Sequence, residues 1–516
     1  MTRNRHFTVI PTLYNSNLFN VKQDHIIQKV FIEITVNNKE KGLSIKDDIN
    51  SFLSMDVFPK IEKYLSTFEH RLEDHILQIP KLELNLDVKS STLNSDLKNK
   101  IAQVFEEELS EITNPVLNSD EVKSSNSEAY LLTNQEKILQ SFIYFLENGN
   151  VPWWNSDKKS LSLLEPKVFN AIIQGENFQN CILPVFSKRN VQERIIHQLS
   201  NEQIAQLCNV ILKDKALKIN LQSEIIQLIS KLDQTNRIMV WRLILNILSR
   251  HLKSPNIYIE DYFLEEILKS ETLSKDLFFV KNHFHNLKTV LKIFPIIKEA
   301  ELIEKIEETF VKNDQNTKKT TKKNEQNFTE INDVIIQNDK NSEQKAEEII
   351  SDEGQYVQNA GLILIHPFMK TFFEHCDLLD KKTNQLSDPE LGAHLLHYIA
   401  TGKINAPEYD MIFEKFLCNI PLHQSINRHI KLTRKHKTQV KNLIESVQHN
   451  WSAMKTSSAE LLQNEFFQRP GKLVVSDHDC TLTVERKTQD ILLERLSWGI
   501  GLVKLPWKDQ FMFVNW

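Results

Sequence analysis

Asn359-Ala-Gly-Leu-Ile-Leu-Ile-His-Pro-Phe368 opens the part of the chain that decides the fold. From here to Trp516, apolar and aromatic residues are dense, and four of the seven tryptophans fall in this part. Large aromatic side chains dominate the energetics of protein cores and interfaces. The tryptophans that we expect to be interface or structural anchors are Trp153, Trp154, Trp451, Trp498, Trp507 and Trp516. Few polar groups converge here, so the segment predicts a rigid module that binds other protein.

The periodicity of residues 356–516 changes from helical to strand-like along the segment. The predicted helices are 361–376, 389–401, 407–418, 439–451 and 458–468. Residues 472–476 and 480–485 alternate around the turn Asp477-His-Asp479, which predicts a β-hairpin. Residues 502–505 and 511–516 are two further strand candidates. We therefore expect residues 356–516 to form a C-terminal α+β docking module.

Residues 1–112 predict a small N-terminal α+β domain of β-α-β-α order. Residues 29–36 are rich in β-branched and aromatic residues and predict a strand. Apolar residues at helical spacing follow over 45–72, with an expected break or kink at Pro59. Lys81–Val88 alternates strictly between apolar and polar residues, which predicts a half-buried strand. An amphipathic helix is expected over 93–112.

The rest of the chain is predicted to be helical, apart from one linker. Residues 113–157 form a connecting segment in which a helix ends at Gly149, before the Pro-Trp-Trp turn. Residues 158–311 form a helical middle, in which 190–200 and 220–230 agree at five positions. That agreement leaves a plain helical domain and a helical-repeat solenoid open. Residues 312–355 are charged and almost free of apolar residues, which predicts a flexible linker that tethers the C-terminal module. The predicted fold class is mainly α with small α+β parts.

The composition of the chain excludes several classes of protein. Its 516 residues carry a net charge of -5, which argues against a dominant role in binding nucleic acid. The five cysteines are widely spaced, which is typical of reduced thiols rather than a disulfide framework. No run of about 18 apolar residues occurs, so we expect no direct insertion into a membrane. We expect the protein to be cytoplasmic.

The sequence also lacks the motifs of common catalytic and cofactor sites. His394 and His397 lie three residues apart, but the acidic residues of a zinc motif are missing, so no metal is expected. No glycine-rich phosphate loop and no nucleophile motif is present. We therefore predict no cofactor and no enzyme activity. A basic run, made of Arg428, Lys431, Arg434, Lys435, Lys437 and Lys441, is expected to be a solvated helix face or a surface for an acidic protein.

Several segments resemble the contractile injection system tape measure protein family. In the C-terminal part they include Asn359–Phe368, residues 394–402, Trp451–Ser457, 468–473 and Trp498–Trp507. Earlier in the chain they are Asp24-His-Ile-Ile-Gln28, Leu82-Glu-Leu-Asn-Leu86 and Phe145-Leu-Glu-Asn-Gly-Asn-Val-Pro-Trp-Trp154. The resemblance covers about residues 24–154 and 356–516. Its strength lies in the order and number of the matched segments.

The resemblance implies a phage-tail-like particle with an inner tube, a contractile sheath and a baseplate with a spike. It implies that the protein sets the length of the inner tube during assembly and carries no catalytic residues. The implied partners are the inner tube, baseplate and spike proteins, with homo-oligomerisation left open. If only the middle were drawn out as a helix, some 150 residues would span about 230 Å.

Other functions remain open from the sequence. Two binding modules joined by helices and a linker also suit a baseplate or spike assembly factor that nucleates the tube without measuring its length. A particle-associated enzyme, such as a cell-wall hydrolase, and a free helical-repeat scaffold are the remaining alternatives.

Overall fold

The computed structural model describes residues 39–72, 75–87, 93–118, 130–152, 162–213, 219–254, 291–294 and 354–516 without 477–478, together with isolated positions elsewhere. These residues divide into two compact units, Met1–Gln140 and Ser141–Trp516. The predicted fold class is confirmed, because helices dominate the described chain and the strands are short. Trp153 and most of the predicted 312–355 linker lie outside the described residues.

The first unit is built from two small strand pairs and three helices. Its elements are β1 (Thr8–Val9), β2 (Ile32–Glu33), α1 (Lys39–Phe52), α2 (Phe58–Phe68), β3 (His75–Gln78), α3 (Ser95–Asn118) and β4 (Tyr130–Thr133). β1 pairs with β2 and β3 pairs with β4, both antiparallel. A π-helical turn at Leu53–Val57 joins α1 to α2. The core of this unit contains Ile49, Phe52, Leu53, Val57, Ile61, Phe105 and Leu109.

Pro59 lies in the first turn of α2. A proline is tolerated there because the first N–H groups of a helix have no partner inside the helix. The predicted interruption of the 45–72 helix is therefore real, and it takes the form of a π-helical turn followed by a new helix.

The prediction of a strand over Lys81–Val88 was wrong. Residues 81–87 are extended, and their side chains alternate between half-buried and exposed, but they belong to no strand among the described residues. Leu82 and Leu84 pack against the core of the first unit. The alternation therefore reports one-sided burial of an extended chain. The hydrogen-bonded strand is β3, a few residues earlier, whose sequence has no alternating pattern.

Helix α4 (Asn134–Asn148) lies in the predicted connecting segment and spans the boundary between the two units. The helical middle belongs to the second unit, and its described helices are α5 (Pro166–Ile173), α6 (Phe178–Phe186), α7 (Arg189–Gln198), α8 (Asn201–Ile211), α9 (Ser223–Ser230) and the longer α10 (Gln234–Lys253). The similar segments 190–200 and 220–230 begin at different points of their helices. Asn190 lies inside α7, whereas Asn220 precedes the start of α9 by three residues.

The C-terminal part of the second unit combines helices with a mixed sheet. Its elements are β5 (Gln355–Val357), α11 (His366–His375), α12 (Pro389–Thr401), α13 (Ile412–Leu417), α14 (Arg434–Asn450), α15 (Ala459–Leu462), β6 (Gly471–Val475), β7 (Asp479–Val484), β8 (Leu502–Val503) and β9 (Phe511–Asn515). The strand order is β5-β6-β7-β9-β8. The β6–β7 pair is the predicted hairpin, whereas the parallel pairing of β7 with β9 was not predicted.

A buried charge cluster joins the helical middle to the C-terminal part. Arg194 on α7 donates from Nε to Oε2 of Glu408 at 3.1 Å, and Lys415 on α13 donates from Nζ to Oε1 of Glu408 at 2.6 Å. All three side chains are fully buried. We call these three residues the charge cluster. The charge cluster shows that the helical middle packs directly on the C-terminal part and is not joined to it by the predicted linker alone.

Main-chain oxygens balance the excess positive charge of the cluster. Arg194 donates its remaining N–H groups to the carbonyls of Leu146 at 2.6 Å and His423 at 2.7 Å. Lys415 donates to the carbonyl of Leu422 at 2.8 Å. Burial lowers the pKa of the Lys415 ammonium, and the neighbouring Glu408 carboxylate opposes that shift.

Gly149 ends α4 and closes one side of the charge cluster. Its φ is +80°, a left-handed conformation that favours glycine, and its N–H donates to the carbonyl of Phe145 at 2.8 Å. A Cβ at this position would lie 2.5 Å from Oε1 of Glu408 and 2.8 Å from Nη2 of Arg194. The predicted helix end at Gly149 therefore has a second cause, which is the close approach of the cluster.

We predict that Glu408→Gln destabilises the protein strongly. The change leaves Arg194 and Lys415 buried without a counter-charge, so we expect a loss of about 3–5 kcal/mol in the free energy of unfolding. Urea unfolding of the full chain measures it. Glu193→Gln is the matched control, because Glu193 pairs with the half-exposed Arg242 and such a pair contributes about 0–1 kcal/mol. Equal losses in the two variants would contradict a special role for the cluster.

Candidate interaction site

The four C-terminal tryptophans lie in or against one hydrophobic core. Trp451 and Trp507 are 0% and 2% exposed, while Trp498 and Trp516 are partly buried and pack against the same core. Their indole N–H groups donate inside the protein, to Leu492 O, Leu417 O, Leu364 O and, for Trp516, Oδ2 of Asp490. Trp507 therefore offers almost no surface to a partner, and its indole serves the core.

The buried Arg469 contacts Trp516 directly and is linked to Trp451 through Phe466. The guanidinium of Arg469 lies 5.8 Å from the ring of Trp516 and 5.8 Å from the ring of Phe466. Phe466 in turn packs edge-on against Trp451, with 4.8 Å between ring centroids. The Asp490 carboxylate accepts from both Arg469, at 2.7 Å, and Trp516. This contact network holds Trp516, the residue that follows β9, against Arg469 and Asp490.

The other tryptophans divide between described and undescribed parts of the chain. Trp154 is half-buried, and Trp153 lies outside the described residues. Trp241 was not singled out from the sequence, although it is fully buried on α10. Its indole N–H donates to Oδ1 of Asn201 at 2.8 Å, which joins α10 to α8. The sequence signal that could have identified Trp241 is its place among the apolar residues of α10, because a buried indole N–H needs a polar partner.

His394 and His397 bind different partners. Nε2 of His394 lies 2.7 Å from the carbonyl of Asn427 and must donate to it, while Nδ1 of His397 lies 3.0 Å from Oε1 of Glu414. Burial lowers the pKa of His394 to about 4, so its imidazole is neutral near pH 7. Among the described residues, no group of three or more His, Cys, Asp or Glu side chains is arranged to hold a metal ion.

The outer face of the C-terminal sheet carries exposed apolar side chains at its β8–β9 end. Met512 and Val514 of β9 point into the core, so Phe511 and Phe513 point outward and are 48% and 45% exposed. Leu502 of β8 is directly opposite Phe513 in the antiparallel register and is 55% exposed. We call Leu502, Phe511 and Phe513 the apolar strip. Contiguous exposed apolar side chains of this kind mark surfaces that bind other proteins.

The strip is fixed rigidly by its place in the sheet. β9 lies between β7 and β8, so its backbone is paired on both sides. The ammonium of Lys504 lies 4.8 Å from the centroid of the Phe511 ring and borders the strip with a positive charge. An apolar centre with a charged rim is the usual anatomy of a protein interface. The arrangement therefore suits binding of a partner protein rather than chemistry on a small molecule.

A family model described as "Contractile injection system tape measure protein" matches residues 24–516. No curated protein and no solved structure matches the chain. In the part of the chain that the structure describes, no helix is long and apolar enough to cross a membrane.

We predict that Trp507→Ala and Phe513→Thr differ sharply in their effect on stability. Removing the buried indole of Trp507 leaves a cavity and an unpaired carbonyl at Leu417, so we expect a loss of about 3–5 kcal/mol. Phe513 is half exposed and threonine suits a strand, so its replacement is expected to cost less than about 1 kcal/mol. Urea unfolding compares them. Similar losses would show that the strip belongs to the core.

Proposed function

The chain belongs to the contractile injection system tape measure protein family, and we propose that it sets the length of the inner tube while docked at the baseplate or spike. The family match carries this proposal, because it extends over both units rather than over a single module. A tape measure protein is a structural component of an injection particle, which agrees with the prediction that the protein is not an enzyme. We propose that it is made in the cytoplasm and assembled there into the particle.

The folded middle supports a particular form of length control. The described helices α5 to α9 have 8 to 11 residues each, and α7 is fixed to α13 through the charge cluster. Drawing the middle out into a single helix of about 230 Å would separate Arg194 from Glu408 and break the packing of α7 on the C-terminal part. We therefore propose that residues outside α7 control the length of the tube and that the second unit docks the protein.

The same observation favours a second candidate function. A folded unit whose middle does not extend can nucleate the tube without measuring it, as an assembly factor at the baseplate or spike. No contact among the described residues favours the third alternative, a particle-associated enzyme.

The apolar strip supports docking to other proteins of the particle. Its three side chains are exposed on a rigid sheet, and they lie on the opposite face of β9 from the core residues Met512 and Val514. We take the baseplate or spike as the surface that covers the strip, since a tape measure protein must be held at one end of the tube it measures.

Length control predicts that particle length follows the length of the chain. We expect whole turns of helix-forming residues inserted between 312 and 350 to lengthen the tube by about 1.5 Å per inserted residue, in steps of one tube ring. Negative-stain microscopy of an insertion series measures it. A linker of scrambled sequence but unchanged length is the control and should leave particle length unchanged. A flat dependence on insert size contradicts length control and leaves the nucleating assembly factor as the function.

Docking predicts a defect in assembly without a defect in folding. We expect the double substitution Phe511→Thr and Phe513→Thr to lower the yield of particles and to abolish co-purification with baseplate or spike components, because it removes apolar area from the strip. Leu228→Gln is the control, since it replaces an apolar side chain that is 38% exposed on α9. Normal co-purification of the double variant, with its stability intact, would contradict docking through the strip.

A further inference from the structure

A pocket opens beside the N-terminus of α14, away from the groups described so far. Its volume is about 250 Å³, and its apolar lining comes from Ile404, Ile430 and Leu432. Ile404 is 52% exposed, although it is a large aliphatic side chain in a loop that could have turned it inward. The volume is below the range of about 300–1,000 Å³ that cofactors and drug-sized ligands occupy. It suits one aliphatic side chain of a bound peptide.

Positive charge surrounds this apolar pocket. Lys431 and Lys437 line it, and both are exposed. No acidic side chain is among the described residues that line the pocket. The chain as a whole carries a net charge of -5, so this concentration of cations is a local feature.

The structure resolves the basic run into paired and unpaired cations. Lys435 pairs with Asp377, and Lys441 lies 3.7 Å from Glu445. Arg428 donates from Nε to the carbonyl of Asn405 at 2.9 Å, which holds the loop that carries Ile404. Across the described residues, no carboxylate pairs with the remaining three cations, which are Lys431, Arg434 and Lys437. These three cluster around the pocket and the first turn of α14.

The position of these cations on α14 is electrostatically unfavourable in the isolated protein. Arg434 and Lys437 lie in the first turn, at the positive end of the helix dipole, where cations are disfavoured. The Thr433 hydroxyl accepts from the N–H of His436 at 3.2 Å, and the His436 ring accepts from the N–H of Thr433 at 3.3 Å, so the helix start is capped without these charges. An anionic partner would relieve the repulsion at this end of the helix.

We propose that this pocket binds an acidic peptide segment of another protein, which seats one aliphatic side chain against Ile404, Ile430 and Leu432. The carboxylates on either side of that side chain pair with Lys431 and Lys437. Apolar contact and paired charge together distinguish this ligand from a simple anion. Binding of such a peptide is independent of length control, since it concerns only the pocket beside the N-terminus of α14.

A nucleic acid fits this pocket less well than an acidic peptide. Binding of single-stranded nucleic acid uses open aromatic faces on which bases stack. No Phe, Tyr or Trp is among the described residues that line the pocket, and the ammonium of Lys437 lies over the face of the Tyr398 ring, 5.9 Å from its centroid. Besides the two lysines, Asn405 and His429, the lining is aliphatic, and it matches a leucine or isoleucine side chain better than a base.

Fluorescence anisotropy with the full chain tests this proposal. The probe is a short synthetic peptide with acidic residues around a central leucine, and it is compared with the same peptide carrying serine in place of leucine. We expect the leucine peptide to bind more tightly than the serine peptide, and its binding to weaken as salt is added. We expect Ile404→Ser to remove the difference between the two peptides.

Matched lysine variants locate the binding surface. We expect Lys431→Gln and Lys437→Gln, combined, to weaken binding about tenfold, which corresponds to about 1.4 kcal/mol for two exposed charge pairs. Lys441→Gln is the control, because Lys441 lies one turn further along α14, outside the pocket lining. All these lysines are exposed, so an unchanged unfolding midpoint confirms that each variant is folded.

Several outcomes would overturn the proposal. Equal binding of the leucine and serine peptides would show that the pocket is only an unspecific basic surface. A loss of binding in Lys441→Gln equal to that of the double lysine variant would show the same. Tighter binding of a single-stranded oligonucleotide than of the leucine peptide would point to nucleic acid. Tighter binding of the chain's own segment Glu330-Ile-Asn-Asp-Val-Ile-Ile336, supplied as a peptide, would show that the occupant is this chain rather than another protein.

Discussion

The buried charge cluster of Arg194, Glu408 and Lys415 is the constraint on which the second unit depends. One carboxylate serves two cations, and main-chain carbonyls from both sides of the contact accept the remaining N–H groups. Such a cluster is stable only when every member is in place, because a buried charge without a partner costs several kcal/mol. The position of α7 against α13 is therefore tightly specified, and so is the glycine turn at Gly149 that the cluster approaches.

This constraint changes what a tape measure protein of this length can do. A ruler that works by extension needs a segment that can be drawn out, and α7 is not available for that without breaking the cluster. The apolar strip on β8 and β9 and the pocket beside α14 both belong to the same unit as the cluster. A folded unit that presents two distinct surfaces to partners is suited to organising an assembly at one end of a tube.

Local features of this chain were predictable from its sequence, and contacts between distant residues were not. The helix 389–401 and the β6–β7 hairpin follow from periodicity and turn residues close in sequence. Lys81–Val88 shows the limit of periodicity, since one-sided burial gives the same alternation whether or not a partner strand is present. Arg194 and Glu408 are more than two hundred residues apart, and each alone reads as an ordinary surface charge. The tryptophans were identified by residue type, but only the structure showed that Trp507 is buried while Phe511 and Phe513 are exposed.

Native-state hydrogen exchange of the full chain tests most directly whether the helical middle and the C-terminal part form one cooperative unit. Amide protection in α7 and in α13 reports the free energy of opening on the two sides of the charge cluster. If the cluster joins them, the most protected amides of both helices exchange with the same free energy, and Glu408→Gln lowers both together. Exchange of α7 at a distinctly lower free energy, with α13 unchanged by Glu408→Gln, would contradict the account and restore two modules joined only by a tether.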